Sequence, residues 1–210
     1  MPETTNAREA ILNRIRTANT SANATAHAAD LAIERNYQQT TSLDRETILK
    51  TFLDHLHEYD AHVVEATPDT LADTIAEVLK SPNQKSAIVA DNFPEANLPA
   101  GFTWQRESQA SADQLNTAAG AISGCEVAIA HTGTIILKGA RKLTLLPDRF
   151  LCVVYENQIV DTVPEAIARL EPYKTEPLTF VSGPSATADI EMTRIRGVHG
   201  PRFLDVIVVR

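Results

Sequence analysis

Three short segments concentrate side chains able to bind a ligand or move a proton. Residues 181–191 read Val-Ser-Gly-Pro-Ser-Ala-Thr-Ala-Asp-Ile-Glu, so Gly183 and Pro184, the hydroxyls of Ser185 and Thr187, and the carboxylates of Asp189 and Glu191 come directly after an apolar strand. Small residues at the carboxyl end of a strand let backbone N–H groups approach an anionic or carbonyl group, which is where open α/β sheets hold their ligands. The competing account is a helix entry, in which Ser185 or Thr187 caps and the two acids favour the helix N-terminus. Neither the G-x-x-x-x-G-K nor the G-x-G-x-x-G phosphate-loop pattern is present.

A second apolar strand ends in residues 128–134, Ala-Ile-Ala-His-Thr-Gly-Thr. An imidazole at His131 beside the hydroxyls of Thr132 and Thr134 can donate, accept or serve as a general base. The alternative is a hairpin turn that needs positive φ at Gly133. The third segment, residues 192–204, holds no acid in a chain of net charge -8 and carries Arg194, Arg196, His199, Gly200 and Arg202. A cationic rim of this kind can receive a carboxylate or phosphate, with arginine offering two parallel N–H donors. Otherwise these arginines pair with Asp205 and other surface acids, at about 0–1 kcal/mol per pair. Lys138, Arg141 and Lys142 repeat the pattern more weakly. Asp189, Glu191 and His131 are the candidates for a chemical step.

Composition narrows the function classes. With 210 residues, 43% of them hydrophobic and 22% charged, the chain can bury a real core without disulfides or a structural metal. Its two cysteines, Cys125 and Cys152, make no disulfide framework and fall short of the four thiolates of an iron–sulfur cluster. They lie in or beside apolar strands and read as inert buried thiols; Trp104 and the phenylalanines read as core. His55 and His57 point to different faces of one helix, which disfavours a metal site between them. The acidic balance argues against nucleic-acid binding. The longest strongly apolar run, residues 150–155, is far shorter than the ~20 residues that span a bilayer, and charges stand near the N-terminus where a signal peptide needs its apolar core. A reducing, cytoplasmic setting without membrane insertion is the expectation.

The elements that must position these segments are set by periodicity. Ile11, Leu12 and Ile15 predict an amphipathic N-terminal helix over residues 8–16, succeeded by a Thr/Ala/Asn/Ser-rich linker over 17–29. A second helix is expected over 44–59, with Ile48, Phe52, Leu53 and Leu56 on one face. Residues 1–60 are thus expected to form a helical segment with a linker, and 61–210 an α/β domain. In the latter, strands are expected at 61–65, 87–90, 102–105, 126–130, 134–137, 142–145, 150–155, 178–181 and 205–209. Helices are expected after Thr67-Pro68, after the capping box Ser111-Ala-Asp-Gln114, and after the capping box Thr162-Val-Pro-Glu165. The apolar run Val206-Ile-Val-Val209 predicts burial on both faces, hence a mainly parallel sheet covered by helices.

Taken together, Gly124-Cys-Glu-Val-Ala-Ile-Ala-His-Thr-Gly-Thr134, Leu145-Leu-Pro147, Gln158-Ile-Val160, Ser182-Gly-Pro-Ser-Ala-Thr-Ala-Asp-Ile-Glu191 and Gly197-Val-His-Gly-Pro201 resemble the lactate-utilisation protein C family, or LUD domain. The resemblance implies a three-layer α/β/α fold similar to the NagB, ribose-5-phosphate isomerase and CoA-transferase group. It also implies a role in oxidising L-lactate to pyruvate beside partner subunits that hold iron–sulfur clusters. This chain would bind no cofactor of its own and would take a small anionic ligand. The pocket would be built from Thr132, Gly133, Thr134, Gly183, Pro184, Ser185, Thr187, Asp189, Glu191, Arg194, Arg196, His199 and Gly200. Many members carry an acid where this chain has His131. Alternatives from other classes are a stand-alone transferase or ligase acting on a CoA thioester, sugar phosphate or folate, and a ligand-sensing scaffold without chemistry.

Overall fold

The computed structural model describes residues 7–30, 36–80, 86–139, 141–188 and 194–210. It divides into two compact units, Met1–Gln38 and Gln39–Arg210. In the first unit, α1 (Ala7–Asp30) is one helix that runs through the residues expected to be a linker. Low hydrophobicity is a poor guide there, because alanine has the highest helix propensity and threonine hydroxyls bond back to the preceding turn. Thr17 Oγ1 donates to the Asn13 carbonyl at 2.9 Å and Thr20 Oγ1 to that of Arg16 at 2.8 Å. The division between units falls after Gln38 rather than near residue 60, so the second helix counts with the sheet.

That helix, α2 (Arg45–Glu58), starts where Asp44 accepts the Thr47 N–H at 2.9 Å, and it buries Ile48, Leu49, Phe52 and Leu56. Next come β1 (His62–Ala66), α3 (Leu71–Val78), β2 (Ser86–Val89), β3 (Thr103–Arg106), α4 (Ala112–Thr117) and β4 (Ala121–Gly124). The chain continues through β5 (Val127–Ile129), β6 (Thr134–Lys138), β7 (Arg149–Tyr155), β8 (Ile159–Val160) and α5 (Val163–Leu170). It ends with β9 (Leu178–Val181), β10 (Ala186–Ala188), β11 (Arg194–Arg196) and β12 (Phe203–Val209). Both expected capping boxes form: Ser111 N–H reaches Gln114 Oε1 at 2.8 Å, and Thr162 N–H reaches Glu165 Oε2 at 2.9 Å.

The main sheet has six strands in the order β1-β12-β7-β4-β2-β3. Every pair in it is parallel. Its centre is β12 against β7 along seven residue pairs, from Phe203↔Arg149 to Val209↔Tyr155. Val206, Ile207 and Val208 are fully buried, as the unbroken apolar run requires. A smaller sheet, ordered β8-β5-β6-β9, mixes parallel and antiparallel pairs and encloses a second apolar cluster with Ala166 and Leu170 of α5. Strands β10 and β11 form an antiparallel pair of their own.

Four expectations are corrected. Residues 142–145 are not a strand but part of a 3-10 turn, Arg141–Thr144, closed by Thr144 Oγ1 on the Arg141 carbonyl at 3.0 Å. Helix α3 starts at Leu71 rather than after Pro68, because Thr70 Oγ1 takes the Thr67 N–H at 3.0 Å and folds residues 67–70 into a turn. Strand β4, Ala121–Gly124, is not among the expected strands. Phe180 and Phe203 are about half exposed, at 53% and 47%, and Trp104 is only half-buried, its Nε1 donating to the Pro99 carbonyl at 3.0 Å.

Two outcomes test this organisation. A chain of residues 39–210 should retain a single cooperative urea transition. In the full chain, Phe52→Ala should lower unfolding stability by about 3–5 kcal/mol, since its ring is fully buried between α2 and the sheet core.

Candidate functional site

Two of the three motifs meet at the end of α2. The turn after β5 places Thr132 Oγ1 2.8 Å from Thr134 Oγ1, and Thr134 Oγ1 lies 2.8 Å from Ser182 Oγ, at the end of β9. Gly133 has φ +57 and a Cβ there would come within 2.8 Å of His55 Cβ. Gly183 has φ +90 and a Cβ would come within 2.7 Å of Tyr59 Cβ and 3.1 Å of the Tyr59 carbonyl. Both glycines are therefore required twice over, by backbone conformation and by close packing on α2. His55 Nδ1 completes the joint by donating to the Ala130 carbonyl at 2.8 Å. The His131 imidazole has no partner among the described residues; its backbone N–H bonds the Asp161 carbonyl at 3.0 Å.

Beyond Gly183 the loop crosses the third motif. Ser185 N–H donates to the Pro201 carbonyl at 2.9 Å, and Gly197 N–H donates to the Ser185 carbonyl at 2.9 Å. Gly200 fits because a Cβ there would stand 3.0 Å from the Thr144 carbonyl and 3.2 Å from Ser185 Cβ. A depression of about 130 Å³ opens at this crossing, walled by Arg141, Thr144, Gly183, Pro184, Ser185 and His199 over Phe150 and Leu204. Phe150 and Leu204 pair near the amino ends of β7 and β12, so the loop that leaves the carboxyl end of β9 lies at the amino ends of the main sheet's central strands. Thr187 sits in β10 opposite Ile195, so Ser185 leads into a strand and not a helix. Asp189 and Glu191 lie outside the described residues, as does the side chain of Arg194.

The cationic rim is largely spent on acids. Arg196 Nη2 donates to Asp60 Oδ2 at 2.6 Å, and Arg202 makes a two-point pair with Asp148, its Nη2 reaching Oδ2 at 2.7 Å. Arg141, at the depression, has no ion-pair partner among the described residues. Among those residues no cluster of three His, Cys, Asp or Glu side chains is arranged to hold a metal ion, and no helix is long and apolar enough to cross a membrane. Cys125 and Cys152 are both buried and unpaired; the neighbouring Cys125 and burial push the Cys152 thiol well up from its usual range.

Sequence reasoning missed a polar pair at the opposite face of the same strands. Asp205 is 2% exposed, with Oδ1 2.8 Å from His62 Nδ1 and Oδ2 3.5 Å from Arg149 Nε. The pair lines a cleft of about 910 Å³ with Asp60, Arg196 and Arg202. Burial raises the Asp205 carboxyl above the ordinary aspartate value, only partly offset by Arg149 and His62. The available signal was an acid inside an otherwise apolar strand, Leu204-Asp-Val-Ile-Val-Val209.

Two measurements check these assignments. Gly183→Ala should lose about 2 kcal/mol or more in urea denaturation, whereas Gly101→Ala, at φ +88 with nothing within 4 Å, should lose only about 1 kcal/mol. Because folded Asp205 keeps its proton to higher pH than unfolded Asp205, it withdraws stability as pH rises above the ordinary value near 3.8. Asp205→Asn should therefore gain stability relative to the parent as pH is raised from about 4 toward neutrality.

Comparison with known proteins places this architecture. A family model described as the LUD domain matches residues 1–209. A Deinococcus radiodurans protein named Lactate utilization protein C is 41% identical over 181 residues, covering 82% of this chain and 84% of its own. A Macrococcus caseolyticus protein of the same name is 28% identical over 186 residues, 80% of each. The crystal structure of a DUF162 family protein from Deinococcus radiodurans, 38% identical, superposes with a TM-score of 0.69 and covers 80% of this chain and 99% of that one. Shared sequence along nearly the whole chain, on a shared mainly parallel α/β fold, establishes that the chain belongs to the LUD domain family.

Proposed function

We propose that the protein serves L-lactate utilisation as a ligand-binding subunit without a redox centre of its own, working beside iron–sulfur partners that carry the electrons from L-lactate on its way to pyruvate. The observation that carries this is the 41% identity, over 82% of the chain, to a relative named for lactate utilisation. Two thiols fall short of the four that hold a cluster, and both are buried in the fold, which supports placing the electron carriers on partners.

The ligand in this proposal is a small carboxylate or phosphate seated at the loop crossing. Arg141 supplies a planar, permanently charged donor, Ser185 a hydroxyl, and His199 an imidazole able to donate from either nitrogen when protonated. Asp189 and Glu191, which follow Ser185 closely in sequence, are the acids proposed to serve that site. Within the loop the Ser185 amide and carbonyl are held by Pro201 and Gly197, so the hydroxyl rests on a fixed backbone. The chain's own work is then to bind and orient the anion.

Growth tests the proposal. Cells deleted for this gene should fail to grow on L-lactate while growing normally on pyruvate, and the wild-type gene should restore growth. Arg141→Gln combined with His199→Asn should restore it poorly at normal protein abundance and an unchanged melting temperature, since both side chains line an open depression rather than the apolar core. Full restoration by that double variant would remove the loop crossing from the function. Purified alone, the protein should show no visible absorbance band.

A further inference from the structure

A second cleft, of about 240 Å³, lies between the main sheet and the 3-10 turn at residues 141–144, and it meets the proposed anion site at Thr144, Phe150 and Thr179. Its position is set by topology. After β2 the chain turns outward to β3, whereas after β4 it turns the other way toward β7, so direction reverses between β2 and β4. Crevices at such a reversal, outside the carboxyl ends of parallel strands, are where open α/β sheets hold ligands. Asp91 and Asn92, just past β2, and Ser123, in β4, form that edge of the cleft.

Glu107, the residue after β3, supplies an independent observation. It is 6% exposed, it lines this cleft, and its Oε1 has no hydrogen-bond partner among the described residues. Buried carboxyl oxygens are ordinarily satisfied, and one left open toward a cavity asks for a donor. The rest of the wall is mixed. Ser123, Thr144, Thr179 and Asn92 both donate and accept, Glu176 lies 4.0 Å from Lys138, Asp91 accepts from Ser108, and Lys142 stands near Glu107. Walls that offer both donors and acceptors suit hydroxyls, which do both, better than an ammonium, which only donates, or a second carboxylate, which only accepts.

We propose that this cleft binds a small hydroxylated organic molecule, one of whose hydroxyls donates to Glu107 Oε1. The inference does not rest on the lactate assignment, because it uses only the strand order, the cavity and the open oxygen. The test is a titration of the full chain with glycerol, D-ribose and L-lactate, monitored by amide chemical shifts, with propionate and propylamine as probes that lack a hydroxyl. At least one hydroxylated probe should give saturable shifts at Asp91, Glu107, Ser123 and Leu143, and neither control should match it. Glu107→Leu should weaken that binding at least tenfold while leaving the melting temperature unchanged or higher, because an apolar side chain removes the open oxygen along with its desolvation. Glu107→Gln, which keeps one acceptor, should fall between. No saturable shift with any probe, shifts confined to other regions, equal binding by Glu107→Leu, or equal binding of propionate or propylamine would each overturn the proposal. A protein that binds these probes yet is dispensable for growth on L-lactate would retain this site and lose only the lactate assignment.

Discussion

A sheet whose six strands all run in one direction cannot be connected by hairpins, so each strand must be reached by a segment that crosses its face. Those crossings bury both faces, and burial is why β7 carries the apolar run Phe-Leu-Cys-Val-Val and β12 the run Val-Ile-Val-Val. The same constraint decides where polar groups can stand. Inside the strands an acid is costly: Asp205 stands between His62 and Arg149, yet its Oδ2 has no hydrogen-bond partner among the described residues. Outside them, the strand order leaves one place where successive connections part, between β2 and β4, and there Glu107 keeps an oxygen open.

The smaller sheet solves a different problem. It must bring two loops that are 50 residues apart in sequence against one helix end, and it does so with glycines: Gly133 and Gly183 let the turns after β5 and β9 close on His55 and Tyr59. The hydroxyl chain Thr132, Thr134 and Ser182 then ties the turns to each other. Past Gly183 the chain is carried to the amino ends of β7 and β12, where Ser185 and Gly200 meet. The two glycine motifs are thus partly architecture, and the binding potential lies in the residues just beyond them.

Much of this was legible in the sequence. Both capping boxes, the buried face of α2 and the two-sided burial of β12 can be read from residue types at fixed offsets, because those interactions are local or periodic. The segments that resembled the LUD domain also named the loops that cross. The hidden features depend on distant residues. That Arg196 and Arg202 pair with acids was one of two readings, but which acids take them was hidden because Asp60 and Asp148 are remote in sequence. Residues 17–29 looked too polar to order, yet they continue α1, rich in alanines of high helix propensity. Glu107 gave no local sign at all, since its burial comes from the turn around Leu143 and from the sheet beneath it.

In the proposed function this chain is needed for lactate oxidation but carries none of the electrons. The most direct measurement is L-lactate-dependent dye reduction in an extract of cells lacking the gene, with the purified protein added back. The expected result is almost no activity in the deleted extract, recovery on addition of the purified chain, and no activity from the purified chain with L-lactate and dye alone. Parental rates in the deleted extract, or dye reduction by the isolated chain, would contradict it.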